Sequence, residues 1–119
     1  MAQDFSRAVA FDSSGDVAIG TTVRTIMTAN SNDAIVGIRL TNIHASAAVT
    51  ADVYITSSAS GSSADSYLAK AVPIPFASSL ELIDGGSKII LQSGDVLKAN
   101  CATANSLNVW VSYVDAISA

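Results

Sequence analysis

The chain has 119 residues, half of them apolar, only 13% charged, with a formal net charge of −4. That length suits one compact domain and is short for two. The six basic residues, Arg7, Arg24, Arg39, Lys70, Lys88 and Lys98, stand singly, which argues against nucleic-acid binding by phosphate neutralisation and against a polybasic membrane contact.

Taken in chain order, the apolar pattern alternates like strands and hardly ever repeats like helices. Phe5 to Phe11 reads as an edge strand, so residues 1–11 form either an N-terminal arm or an outer strand. Asp12 to Asp16, with Ser-Ser-Gly inside it, is a turn. Thr21 to Thr28 is rich in β-branched residues and reads as a strand. Asn30 to Asp33 suits turn geometry, and Ile35 to Asn42 then alternates. Its Val36, Ile38 and Leu40 are expected on one face, with Gly37, Arg39 and Thr41 on the other.

Val49 to Thr56 alternates more cleanly. Val49, Ala51, Val53 and Ile55 point inward and Thr50, Asp52, Tyr54 and Thr56 outward. Ser57 to Ser66 is a polar stretch without large apolar anchors, expected to be an exposed, mobile loop. Val72-Pro-Ile-Pro-Phe76 must be an edge or a crossover between sheets, because proline cannot donate to a central ladder. Leu80 to Ile83 and Lys88 to Leu91 flank Asp84-Gly85-Gly86-Ser87 and read as a hairpin. Ser93-Gly94-Asp95 is a second tight turn, leading into Val96 to Ala99. Leu107, Val109, Val111 and Tyr113 alternate with Asn108, Trp110 and Ser112 in a last strand.

Six to eight short strands joined by turns, with no long helix, predict an all-β, single-domain antiparallel β-sandwich, plain or jelly-roll-like. Ala and Ser make up roughly a third of the residues, so the buried area per residue is modest and burial against partner subunits is one remedy. The low share of charge, about half that of an ordinary globular domain, points the same way.

Chemistry is sparse. The single histidine, His44, has no second histidine to share a metal, and a turn position is its simplest role. Cys101 alone makes no disulfide and reads as a small buried thiol, compatible with a reducing compartment. Most carboxylates fall in turns. Asp12 to Asp16 has the oxygen density for calcium, yet it lacks the EF-hand spacing and closing Glu. Gly85-Gly86 precedes a strand, unlike a phosphate-binding turn, which opens a helix. These observations predict no catalytic, cofactor or metal residues and a protein that is not an enzyme. The N-terminus does not read as a signal peptide, and no stretch approaches the ~18 apolar residues of a membrane span. Tyr54 and Trp110, both in outward register, are the candidate interface or ligand-stacking residues.

The second half resembles small virion structural proteins of tailed bacteriophages, especially T4-like phages of marine bacteria and cyanobacteria. The resemblance lies in Tyr67 to Pro75, Ser79 to Asp84, Lys88 to Leu97 and Leu107 to Val114: a Pro-x-Pro segment, a hairpin, a Gly-Asp turn and a last alternating strand. It implies a non-enzymatic head-decoration, neck or tail accessory subunit, made in the host bacterial cytoplasm and located in the virion. Its expected partners are other virion proteins and copies of itself. The alternative is a carbohydrate- or receptor-binding module of a phage tail, using the polar 57–66 loop and the outward aromatics.

Overall fold

Small β-branched and aliphatic residues at every second position favour a pleated, half-buried surface, and two such surfaces bury each other. The computed structural model, which describes residues 4–57, 64–83 and 88–115, shows that solution. The described strands are β1 (Asp4–Val9), β2 (Arg24–Thr28), β3 (Asp33–Asn42), β4 (Val49–Ser57), β5 (Ala64–Ile74), β6 (Ser79–Glu81), β7 (Ile89–Leu91), β8 (Val96–Cys101) and β9 (Leu107–Asp115). One antiparallel sheet has the order β1-β9-β3-β6, with β7 also on β3. The other has the order β2-β8-β4-β5. With β6 and β7 taken as one interrupted strand, the eight strands have the connectivity of a jelly roll.

Between the sheets lies one contiguous core. Ile19, Ile35, Ile38, Leu40, Val49, Val53, Ile74, Leu91, Leu97, Leu107, Val109 and Val111 are fully buried in it. Each such aliphatic side chain contributes about 1.5–3 kcal/mol of burial. Ala29, Ala51 and Ala99 fill the narrower gaps. The alternation predicted for 49–56 and 107–113 is observed, with Val49, Ala51, Val53 and Ile55 facing Leu107, Val109 and Val111 across the core.

Several expectations change. In β3 the register on β9 slips between Ile35 and Gly37. Ile35, Ile38 and Leu40 are therefore the buried set, and Val36 leaves the face on which strict alternation had put it. The hairpin expected over 80–91 is not one. β6 pairs with Arg39–Thr41 and β7 with Asp33–Ile35, both antiparallel to β3, so they run in one direction along a single edge. The intervening 84–87 lie outside the described residues. The polar stretch after β4 is shorter than expected, since β4 runs to Ser57 and β5 starts at Ala64; residues 58–63 lie outside the described residues.

β5 itself covers Tyr67 to Ala71, which alternation did not mark as a strand. It is the edge strand that Pro73 requires, with Pro73 opposite Thr50. β5 tolerates an irregularity at Ala71, whose φ of 51° is left-handed, because its N–H donates to Asp52 Oδ1 at 2.6 Å. The N-terminal segment is an edge strand, with Asp4 to Val9 paired to Asp115 to Trp110 of β9.

The ends of the two sheets are tied by Asn42, which is buried. Its Nδ2 donates to the carbonyls of Ala47 (2.9 Å), Ile74 (3.0 Å) and Pro75 (3.2 Å), and its Oδ1 accepts from His44 N–H. A buried amide this well satisfied costs little and fixes the β3–β4 connection against the end of β5. Gly20 serves the same end of the molecule. A Cβ there would meet Ala104 Cα at 2.9 Å and Asn105 N at 3.0 Å, so only glycine lets the two loops approach.

Candidate functional site

Strand order, more than local sequence, decides which outward side chains meet. Trp110 stands on the outer face of β9, with Val9 of β1 directly opposite on one side and Arg39 of β3 on the other. It is 49% exposed. One step along the ladder, Ser112 lies between Arg7 and Gly37. The Arg7 guanidinium sits over the indole at 5.4 Å from the ring centroid, a cation–π contact that restrains the ring. Beyond β3, Arg39 Nε donates to Glu81 Oε1 across the β3–β6 register, and both side chains are well exposed.

Two shallow hollows flank the indole. One, of about 420 Å³, is lined by Gly37, Arg39, Glu81, Trp110 and Ser112. The second, of about 190 Å³, is lined by Val9, Val17, Arg39, Thr41, Asn108, Val109 and Trp110. At its floor Asn108 Oδ1 is the only buried side-chain nitrogen or oxygen without a hydrogen-bond partner among the described residues. The first hollow exists because residue 37 has no side chain: nothing lies within 4 Å of where its Cβ would be.

The other predicted residue, Tyr54, is not part of this site. It lies on β4, in the opposite sheet, and keeps its outward register, yet it is only 8% exposed. Tyr67, its direct cross-strand partner on the edge strand β5, covers it with a ring-centroid distance of 4.9 Å. Lys70 Nζ in turn lies 4.3 Å from the Tyr67 ring centroid. Burial, helped by nearby Asp65, Tyr67 and Asp52, pushes the Tyr54 phenol pKa up. The expectation of an exposed Tyr54 is thus corrected, because the Tyr67 ring from the neighbouring edge strand packs over it.

The remaining chemistry-bearing residues are occupied locally. His44 Nδ1 accepts from the backbone N–H groups of Ser46 and Ala47, both at 3.1 Å, closing a turn. Cys101 is buried, its thiol donating to Thr103 O at 2.9 Å, and burial pushes its pKa up. Asp12 Oδ1 accepts from Ser14 N–H, Ser14 Oγ–H and Asp16 N–H, and the Ser14 hydroxyl, then the Asp16 amide, hold its carboxyl below the ordinary carboxylate value. Among the described residues, no group of three or more His, Cys, Asp or Glu side chains could hold a metal ion.

Arg7, Gly37, Arg39 and Glu81 were not marked as site residues by sequence. The one available signal was the outward register of Gly37 and Arg39. Glu81, 42 residues beyond Arg39, meets it only through the β3–β6 pairing. Comparison with known proteins gave no matching family model, no matching curated protein and no matching solved structure.

Proposed function

We propose that this chain is a non-enzymatic structural subunit of a tailed-phage particle, a head-decoration, neck or tail accessory protein that assembles through one apolar end of the sandwich. The observation that carries this reading is how exposed apolar side chains are distributed. Val9, Asn42, Ile74, Cys101 and Leu107 mark one pole, where Ala10 N–H reaches Val109 O, Ile19 bridges Leu107, Asn42 N–H reaches Ser78 O and Cys101 N–H reaches Gly20 O. Phe11, Val17, Val23, Ile43 and Phe76 all stand exposed around that pole, five of the nine large apolar side chains exposed among the described residues. Apolar side chains exposed at one end, here sharing it with Asp12, Asp16 and Arg24, suit an assembly contact. The opposite pole carries Asp65, Asp95 and Asp115, with Phe5 and Ile90 the exposed apolar side chains near it.

The phage resemblance of the second half supports the setting. Jelly rolls serve in viral capsid domains, among other roles, and that support is by analogy of fold. In this reading the chain is synthesised in the host bacterial cytoplasm, and its partners are other virion proteins and copies of itself.

Mass spectrometry of purified particles of a phage encoding the chain tests the reading. It should find the chain at a fixed copy number relative to the major capsid protein. The paired substitution Ile43→Asp and Phe76→Asp should leave the isolated chain folded by circular dichroism while removing it from particles. Absence of the unaltered chain from purified particles would sink the proposal.

A further inference from the structure

The hollow beside Trp110 has features that the assembly role does not use. It joins an exposed indole, an ion pair whose two partners both face solvent, and a gap made by a missing side chain, all on the outer face of the β1-β9-β3-β6 sheet. Gly37 is not in the left-handed region, so its backbone does not require glycine. Glycine within a strand weakens it by entropy and lost packing, and one use of it is to let a ligand approach the backbone closely. Here the space it leaves adjoins Trp110.

A hexopyranose matches this arrangement. Its C–H face is apolar and flat, and stacks on an indole. Its rim carries hydroxyls that both donate and accept. Arg39 can only donate and ionised Glu81 can only accept, so the pair presents the two complementary functions side by side, as a vicinal diol requires. Ser112 adds a hydroxyl at the rim. Because Glu81 already balances Arg39, the pair favours a neutral sugar over an anionic one. We infer that the hollow formed by Gly37, Arg39, Glu81, Trp110 and Ser112 is a binding subsite for a neutral hexopyranose of a surface glycan. Trp110 is the stacking platform, through the ring face that the Arg7 guanidinium leaves free, and the Arg39–Glu81 pair reads a vicinal diol. This site goes beyond the assembly role and rests on no part of it.

Trp110 is the chain's only tryptophan, so fluorescence excited beyond the tyrosine absorption band reports on this site alone. The test titrates the full chain with neutral di- to tetrasaccharides of glucose, galactose, mannose and N-acetylglucosamine. At least one should shift the Trp110 emission saturably, with a Kd on the order of 1 mM, as befits a shallow open site. Gly37→Val fills the hollow and leaves Trp110, Arg39 and Glu81 in place. It should keep the melting temperature and weaken binding by roughly tenfold or more, and Trp110→Ala, followed by calorimetry, should do the same. The inference is overturned if no saccharide in the panel perturbs the emission, or if Gly37→Val binds as tightly as the unaltered chain. Either result would leave incorporation into particles untouched, so the two proposals fail separately.

Discussion

Tyr54 and Trp110 occupy equivalent places, each an aromatic in the outward register of an interior strand, one in each sheet. Their fates differ because of their neighbours. Across the ladder from Tyr54 stands another tyrosine, and the two rings pack together. Across from Trp110 stand Val9 and Arg39, and the next position on β3 toward Ser112 is a glycine. Exposure of these two outward residues is therefore set by the size of the side chains on adjacent strands, with Tyr54 covered and Trp110 left open.

The largest effect that follows is on stability. Tyr54→Ala should cost about 3 kcal/mol in urea denaturation, near the low end for a buried aromatic, because it opens a cavity under Tyr67. Trp110→Ala should cost less than about 1 kcal/mol, as surface changes usually do. Equal costs would erase the contrast between the two faces. A double-mutant cycle on Tyr54 and Tyr67 sharpens it, with an expected coupling of about 0.5–1.5 kcal/mol for the ring pair beyond area burial. The smallest effect is on pH dependence. The Tyr54 phenol is raised in the folded chain, so its contribution to stability is complete below the unfolded value of 10.0 and is lost as pH rises from there through the folded value. Alkaline titration of stability should show this loss in the parent chain and a smaller one in Tyr54→Phe.

The sandwich itself was legible because period-2 alternation survives in β4 and β9, where no bulge interrupts the buried set. It misled at Val36, since the extra residue between Ile35 and Gly37 puts Ile35, before the slip, on the same face as Ile38 and Leu40 after it, and nothing in Ile-Val-Gly-Ile announces it. β5 escaped notice because Tyr-Leu-Ala-Lys-Ala is an edge strand with an irregular register on β4, and so lacks a clean buried face. The Gly-Gly turn suggested a hairpin because local turn chemistry says nothing about which third strand two short segments prefer. The Trp110 hollow was half legible. Its aromatic was marked by register, whereas its polar half needed β6 to be laid on β3, which is a fact of topology.

The interrupted strand β6–β7 has a consequence for how the molecule behaves in crowded solution. A sheet edge with a continuous row of unpaired amides and carbonyls is a template on which further chains can polymerise. The β3 flank is capped by two three-residue pieces, Ser79–Glu81 and Ile89–Leu91, so the described residues on that side offer no long row. On the other sheet β2 shifts register between Thr25 and Met27, and β5 carries Pro73 and the left-handed Ala71. Among the described residues, three of the four flanks are thus broken, and β1, regular from Asp4 to Val9, is the unbroken one. Edge-to-edge growth, which in a two-sheet protein can start from either sheet, finds among the described residues a single regular template six residues long.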